Sequence, residues 1–198
     1  MSATTLVAPQ IELPLSPRWR GRVGMWCLIA AESAIFCIFV VAYLYYAGKS
    51  LSGPTPAEVL EVPVIASIGL FASSLTIWLA ERGLDAGRIR QFGLFWLVTI
   101  LLGAGFLLAT ALEWHHLIYD KELTIATNLF GTTFYSLVGL HAFHVIVGLT
   151  GLIVIMIFTL MGAVNQEHSE RIAVFGMYWH FVDAIWMVVL SVVYFIAR

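Results

Sequence analysis

A histidine and an aspartate lie inside the last apolar stretch of the chain, in the run 178–183 (Tyr-Trp-His-Phe-Val-Asp). The stretch covers residues 172–197, and Asp183 is the only formal charge among these 26 residues. An ionisable group at bilayer depth costs about 2.5–3.5 kcal/mol on insertion scales, so we expect it to have a partner. Because His180 and Asp183 are three residues apart, they share one face of a helix. The pair is typical either of a buried polar contact that positions a partner helix, a lipid or a proton, or of a contact that only stabilises the helix bundle.

Glu32 is the only formal charge in the first apolar stretch, residues 23–47. Its predicted helix face also carries Leu28, Ile35 and Phe36, so its surroundings are apolar. Without a charge partner, burial in such surroundings favours the protonated form of the carboxyl group. We interpret Glu32 as a buried carboxyl group, either functional or simply hydrogen-bonded to a neighbouring helix.

Two further histidines, His141 and His144, share a face near the middle of the fourth apolar stretch. His180 lies about 12 Å into the last span, close to the depth that the helical rise gives for Glu32. His144 approaches this depth from the other side of the membrane if the spans alternate in direction. The spacing therefore predicts an intramembrane polar layer of His141, His144, His180 and Asp183, level with Glu32.

An acidic residue and two histidines end the third apolar stretch, in the run 113–116 (Glu-Trp-His-His). A Glu-x-x-His pair occurs in di-metal carboxylate bundles, but those bundles need two such pairs and two further carboxylates. Zinc would need three or four convergent ligands, and His141 with His144 supplies only two. We therefore interpret Glu113 as a helix-end acidic residue in an interfacial polar cluster, and we predict no catalytic residue, metal or cofactor in this chain.

The composition indicates which elements position these residues. The chain is 61% apolar and 11% charged, against about 25% charged in a soluble domain, and its net charge of −2 gives no indication of nucleic acid binding. Five apolar stretches reach or nearly reach the roughly 20 residues that a bilayer requires. We predict an all-α, multi-pass membrane protein, a bundle of five transmembrane helices at residues 23–47, 62–80, 92–112, 129–162 and 172–197.

The fourth span lies in an uncharged run of 44 residues, 123–166, which is long enough for two short helices. Its interior, residues 134–161, contains no Pro, Asn or Asp to form a tight turn. One long helix with a polar start is therefore predicted.

The distribution of basic residues predicts the orientation. Five spans would place seven basic residues on one side of the membrane and three on the other, which indicates a cytoplasmic N-terminus and an external C-terminus. The larger set comprises Arg18, Arg20, Arg22, Arg82, Arg88, Arg90 and Arg171, and the smaller set Lys49, Lys121 and Arg198. Residues 1–20, which are interrupted by prolines, are interpreted as a flexible cytoplasmic arm, and residues 21–198 as a single membrane domain.

Three motifs occur in the order that one known family shows. Glu32 lies four residues before a phenylalanine, the run 141–145 reads His-Ala-Phe-His-Val, and the run 178–186 reads Tyr-Trp-His-Phe-Val-Asp-Ala-Ile-Trp. Over residues 21–194 the chain resembles subunit III of the haem–copper respiratory oxidases (cytochrome c oxidase), in its short bacterial five-helix form. The resemblance implies that Glu32 is the family's carbodiimide-reactive buried carboxyl group, and that Glu113 is another acidic residue at a helix end.

The resemblance also implies a function, partners and a location. The chain would be a non-catalytic subunit of a proton-pumping cytochrome c oxidase, which reduces oxygen to water in subunit I. It would stabilise subunit I, support its proton uptake, and hold structural phospholipid in a cleft between its first two helices and the remainder. Haem and copper would belong to the partner subunits I and II, and the complex would lie in the bacterial plasma (inner) membrane.

The chain departs from longer relatives in two respects. It lacks their two extra N-terminal helices, which indicates a bacterial enzyme. It also lacks the basic residues that they place after the long helix, because residues 158–163 are uncharged. Arg171 is the remaining base that could contact a lipid headgroup there.

Other functions fit part of this pattern. The chain could be subunit III of a quinol oxidase, or the related accessory protein of a nitric oxide reductase. Outside the superfamily, an independent membrane metalloenzyme would need metal to co-purify with the chain. A channel or transporter would need broken helices or an inverted repeat, and neither is visible in the sequence.

Overall fold

The computed structural model describes residues 17–50 and 52–196, and their side chains from residue 19 onward. Most of the predicted arm, and Arg198 of the charge count, lie outside these residues. The described chain forms α1 (Pro17–Tyr46), a short α2 (Pro56–Val59), α3 (Val64–Asp85), α4 (Ile89–Tyr119), α5 (Leu129–Leu160) and α6 (Ser169–Ser191). A 3₁₀ turn, Gln166–His168, precedes α6, and a π-helical turn, Val192–Ile196, follows it. Residues 17–20, which the sequence assigned to the arm, form the first turn of α1.

Five of these helices, α1 and α3 to α6, are long and apolar enough to cross a membrane. The predicted all-α class with five spans is therefore confirmed. The long uncharged run forms one helix, α5, as its lack of turn residues predicted. This helix begins after Asn128, whose side-chain oxygen accepts a hydrogen bond from the Gly131 amide at 2.8 Å, as expected of an N-cap residue.

The last span, α6, lies at the centre of the bundle. It packs against α1, α3 and α5, while α3 packs against α4, and α5 against both α4 and α1. Within their most apolar windows, half of the α6 residues are buried but only 11% of the α1 residues. The first two spans, α1 and α3, therefore each pack on α6. The cleft that the resemblance implied, between these two spans and the remainder, stays a prediction.

Polar contacts at one end of the bundle show how the spans alternate. Arg22, near the start of α1, lies 3.2 Å from Glu170 at the start of α6. The Gln166 side chain, just before α6, donates to the carbonyl oxygen of Asp85 at the end of α3. The starts of α1 and α6 and the end of α3 therefore lie together, and this end carries the arginine-rich segments. That it faces the cytoplasm stays a prediction.

Candidate functional site

A carboxyl group and an imidazole ring meet between α1 and α5. The Oε2 atom of Glu32 lies 3.1 Å from Nε2 of His144, and Nδ1 of the same ring lies 2.8 Å from the carbonyl oxygen of Leu140. The His144 side chain is 8% exposed and that of Glu32 is 24% exposed. Glu32 is thus only partly buried within this chain, and its carboxyl group is hydrogen-bonded to a neighbouring helix, which is one of the two interpretations drawn from the sequence.

The other predicted pair, His180 and Asp183, faces α3, where both side chains contact Ser74. The Ser74 hydroxyl donates to Oδ2 of Asp183, and its oxygen lies 3.1 Å from Nδ1 of His180. Because the hydroxyl proton is used on the aspartate, the imidazole must be the donor to the serine oxygen. The three side chains form a hydrogen-bonded chain between α3 and α6, in which Asp183 is buried.

Two tryptophans extend this contact along the same pair of helices. The indole nitrogen of Trp179 donates to the Ser73 hydroxyl at 2.8 Å, and that of Trp186 donates to the Ser67 hydroxyl at 3.0 Å. Both indole rings are buried. The α3–α6 interface is therefore joined by polar side chains over about two turns of each helix.

Trp179 also closes the space between α6 and two other helices. Gly103 of α4 and Gly148 of α5 lie against its ring, and a Cβ atom on either glycine would approach the ring atoms to 2.8 and 2.9 Å. Both distances are shorter than side-chain carbons tolerate, so these positions need glycine for the close approach. Trp179 thereby contacts α3, α4 and α5 at once.

His141, the remaining member of the predicted polar layer, is fully buried. Its ring stacks on Trp186, with centroids 5.0 Å apart and planes at 25°, and neither ring nitrogen has a hydrogen-bond partner among the described residues. The predicted layer is thus two separate polar contacts and one stacked ring. The contact of Glu32 joins α1 to α5, and the contact of Asp183 joins α3 to α6.

Glu113 lies near the opposite end of the bundle, in the last turns of α4. Its carboxyl group accepts a hydrogen bond from the Tyr194 hydroxyl at 2.9 Å. The neighbouring His116 is paired with Asp120 at 2.7 Å, so it is engaged away from Glu113. Glu113 therefore joins α4 to the π-helical turn after α6.

The serines of α3 were missed in the sequence, although they provide the partners of Asp183, Trp179 and Trp186. Ser67 and Ser74 are seven residues apart and so share one helix face, and Ser73 lies beside Ser74. Three hydroxyls at this spacing in an apolar span were the available signal. In a membrane, such residues commonly form hydrogen bonds between helices.

The fold and the site define a class: a multi-pass membrane protein whose buried polar groups join its helices to one another. Among the residues described, no three His, Cys, Asp or Glu side chains are placed to hold a metal ion. Residues 20–198 match the sequence model for cytochrome c oxidase subunit III. The chain belongs to the cytochrome c oxidase subunit III family.

Individual relatives agree with this assignment. The chain is similar to the cytochrome c oxidase subunit 3 of Alkalihalophilus pseudofirmus, at 33% identity over 87% of this chain and 84% of the relative. It is similar to the quinol oxidase subunit 3 of Bacillus subtilis, at 27% identity over 87% of this chain and 85% of the relative. It is also similar to the cytochrome c oxidase subunit 3 of Scyliorhinus canicula, at 32% identity over 87% of this chain and 68% of that longer relative. The resemblance drawn from three motifs is confirmed.

Glu32 should react with a hydrophobic carbodiimide and not with a water-soluble one, because it lies within a membrane span and packs beside the buried His144. Mass spectrometry of peptides from labelled membranes measures both reactions. Glu122, which lies in the exposed loop before α5, is the internal control and should show the reverse preference. Equal labelling of Glu32 by both reagents would show that water reaches the site freely.

Proposed function

We propose that the chain is a non-catalytic subunit III that assembles with subunits I and II of a cytochrome c oxidase, and that those partners bind the haem and copper. The observation that carries the proposal is the use of its ionisable groups in helix–helix contacts. His144 is engaged with Glu32, and His180 and Asp183 are engaged with Ser74. Groups used in this way fasten helices, and the redox ligands are left to the partner subunits.

In this function the chain stabilises subunit I and supports its proton uptake, while oxygen is reduced to water in subunit I. The motif at residues 178–186 lies on α6, which packs against three other spans. Polar contacts between the helices hold the bundle in one arrangement, and a pre-organised surface lowers the free-energy cost of binding a partner. The main contribution of this chain is therefore to the assembly and the lifetime of the complex.

We further propose a bacterial plasma membrane location, with the N-terminus in the cytoplasm. The relatives from bacilli support the location. The arginine-rich end of the bundle, marked by the contact of Arg22 with Glu170, supports the orientation because cytoplasmic loops are enriched in Lys and Arg.

The electron donor is proposed to be cytochrome c, with quinol as the alternative. Identity to the cytochrome c oxidase relative is 33%, against 27% for the quinol oxidase relative. Oxygen consumption by the purified complex, measured with reduced cytochrome c and with a quinol, decides between the two donors.

The subunit function is tested by purification. An affinity tag on this chain should bring down a haem-containing subunit I and a subunit II, and the chain separated from them should contain no stoichiometric metal. Iron, copper or zinc at one equivalent in the separated chain would contradict the proposal and favour an independent metalloenzyme.

Structural phospholipid is proposed at the start of α6, where Arg171 is exposed beside a groove of about 420 Å³. The groove is lined by Ile155, Phe158, Ile172 and His168, so an acyl chain fits beside a basic group that can bind a phosphate.

Arg171→Ala should therefore lower the phospholipid retained through detergent purification, as measured by phosphate analysis and mass spectrometry of the complex. Arg90→Ala is the matched control, because Arg90 is also exposed and lies at the same end of the bundle, outside the groove. Unchanged lipid content together with an unchanged activity lifetime would remove Arg171 from this role.

A further inference from the structure

The carboxyl group of Glu81 lies against the backbone of α6. Glu81 is half-buried in the last turns of α3, at the arginine-rich end of the bundle. A Cβ atom on Gly176 of α6 would overlap the Oε1 atom of Glu81, so this glycine leaves room for the carboxyl group. That Oε1 atom is buried and has no hydrogen-bond partner among the described residues. A buried carboxyl oxygen without a donor is costly, so we expect a donor beside it.

The ring of His180 has an available nitrogen atom near the same place. Gly176 and His180 are four residues apart on one face of α6, and helical side chains lean toward the N-terminus, so the ring lies over the turn that contains Gly176. Nδ1 of the ring donates to Ser74, and Nε2 of a neutral ring is then an acceptor. Two acceptors, Oε1 of Glu81 and Nε2 of His180, thus converge, and a ligand between them must carry two donors. Water is the small ligand that does so.

We propose that a water molecule over Gly176 donates to Glu81 and to His180, and completes a proton path from the arginine-rich end of the bundle to Asp183. Beyond the water, Nδ1–H of His180 donates to Ser74, and the Ser74 hydroxyl donates to Oδ2 of Asp183. Every hydrogen bond from the water onward therefore points toward Asp183, over about 10 Å along α6. Chains of carboxyl and imidazole groups inside a membrane commonly relay protons.

The path moves one proton and leaves every group intact. A proton that Glu81 takes from solvent reaches Nε2 of His180 through the water. Nδ1 then gives its proton to Ser74, and Ser74 gives its own proton to Asp183. The carboxylate becomes a carboxylic acid, and each hydrogen bond is kept with its direction reversed. Oδ1 of Asp183 has no partner among the described residues, so the path ends there, and Asp183 exchanges a proton without releasing α3 from α6.

The titratable groups around the path come from several elements. On α3, Asp85 is exposed one turn after Glu81, and Arg82 stacks on the Trp78 ring at 3.8 Å from its centroid. The titratable groups of α1, α5 and α6 nearby are engaged with other partners: Glu32 with His144, Arg22 with Glu170, Tyr178 with the His144 carbonyl oxygen, and His141 with the Trp186 ring. Asp85 is therefore an exposed carboxyl group beside the inner end of the path, and it provides a control for Glu81.

The path is tested by infrared spectroscopy of the complex purified through this chain, after a rapid drop in pH. The carboxylic acid band of Asp183, assigned by its loss in Asp183→Asn, should appear in the wild type. It should rise about a hundredfold more slowly in His180→Gln and Glu81→Gln, since glutamine keeps the hydrogen bonds but relays no proton. Asp85→Asn is the matched control and should keep the wild-type rate. An unchanged rate in His180→Gln, or no Asp183 band at any pH at which the complex is intact, would overturn the proposal.

The place of the water is tested at Gly176. Gly176→Ala should displace the carboxyl group of Glu81 and slow the Asp183 band as much as Glu81→Gln does. Gly105→Ala on α4 is the matched control, because a Cβ atom there would meet no other side chain within 4 Å, and its rate should equal that of the wild type. A wild-type rate in Gly176→Ala would contradict the proposed water site.

Discussion

Replacing Asp183 with alanine should release this subunit from its complex, while the remaining subunits still turn over and lose activity sooner. Asp183 is buried and accepts a hydrogen bond from Ser74, which in turn contacts His180. Removing the carboxyl group leaves the Ser74 hydroxyl without its acceptor, at a cost of about 1–3 kcal/mol. This loss weakens the α3–α6 interface, so assembly of the complex should be impaired before oxygen reduction is. The measurement is the amount of this chain per haem after purification, followed by the decay of oxygen consumption during turnover.

The control for this effect is Asp183→Asn, which keeps an oxygen that can accept from Ser74 and removes the acid. We expect it to retain the subunit much better than Asp183→Ala, and Ser74→Ala to resemble the alanine variant. The competing function for Asp183 is direct proton transfer. An Asp183→Asn complex that is fully assembled but loses proton uptake from the first turnover would establish that function and contradict ours.

The largest loss of stability is expected from Trp179→Ala. The Trp179 ring is fully buried, donates to Ser73, and fills the space left by Gly103 and Gly148. Removing a buried aromatic side chain of this size typically costs about 3–5 kcal/mol, because the surrounding helices close the cavity only in part. Thermal unfolding of the complex, followed by loss of this chain from it, measures the effect.

Two further variants make the interpretation specific. Trp26→Ala removes an indole that is 61% exposed on α1, and it should lower the thermal stability of the complex far less. Trp179→Phe keeps an aromatic ring but loses the donor to Ser73, so it should fall between the wild type and the alanine variant. Equal effects of Trp179→Ala and Trp26→Ala would show that the central position of Trp179 has no energetic consequence.

The spans could be predicted because charges are costly in lipid, and the gaps between charged residues therefore outline the helices. The single long α5 followed from the lack of turn residues, and its start at Leu129 agrees with the predicted span. The side-chain contacts inside the spans were harder to predict from the sequence. Glu32 and His144 were predicted at one depth, but their direct contact depends on how α1 and α5 are rotated, which residue spacing does not determine.

The partner of Asp183 was hidden for a different reason. A serine in an apolar helix can hydrogen-bond to its own backbone, as Ser73 does to the Leu70 carbonyl oxygen, so its presence alone indicates no partner on another helix. Ser74 could be recognised as a partner only once α3 and α6 were placed side by side. The sequence thus identifies the ionisable side chains inside the spans, because they are costly in lipid. It does not identify the serines that are their hydrogen-bond partners.

The π-helical turn at the end of α6 has a consequence for the length of this segment of the chain. Val192, Val193 and Tyr194 are three consecutive buried residues, although neighbours in an α-helix point about 100° apart. The wider turn accommodates one extra residue and shifts the angular phase of the last residues of the helix, which brings the Tyr194 hydroxyl to Glu113. Deleting one residue here would restore the α-helical phase and rotate Tyr194 away from its partner. A change of one residue in chain length at this point would therefore rotate the last residues of the helix by about 100° relative to the bundle, which no single substitution can do.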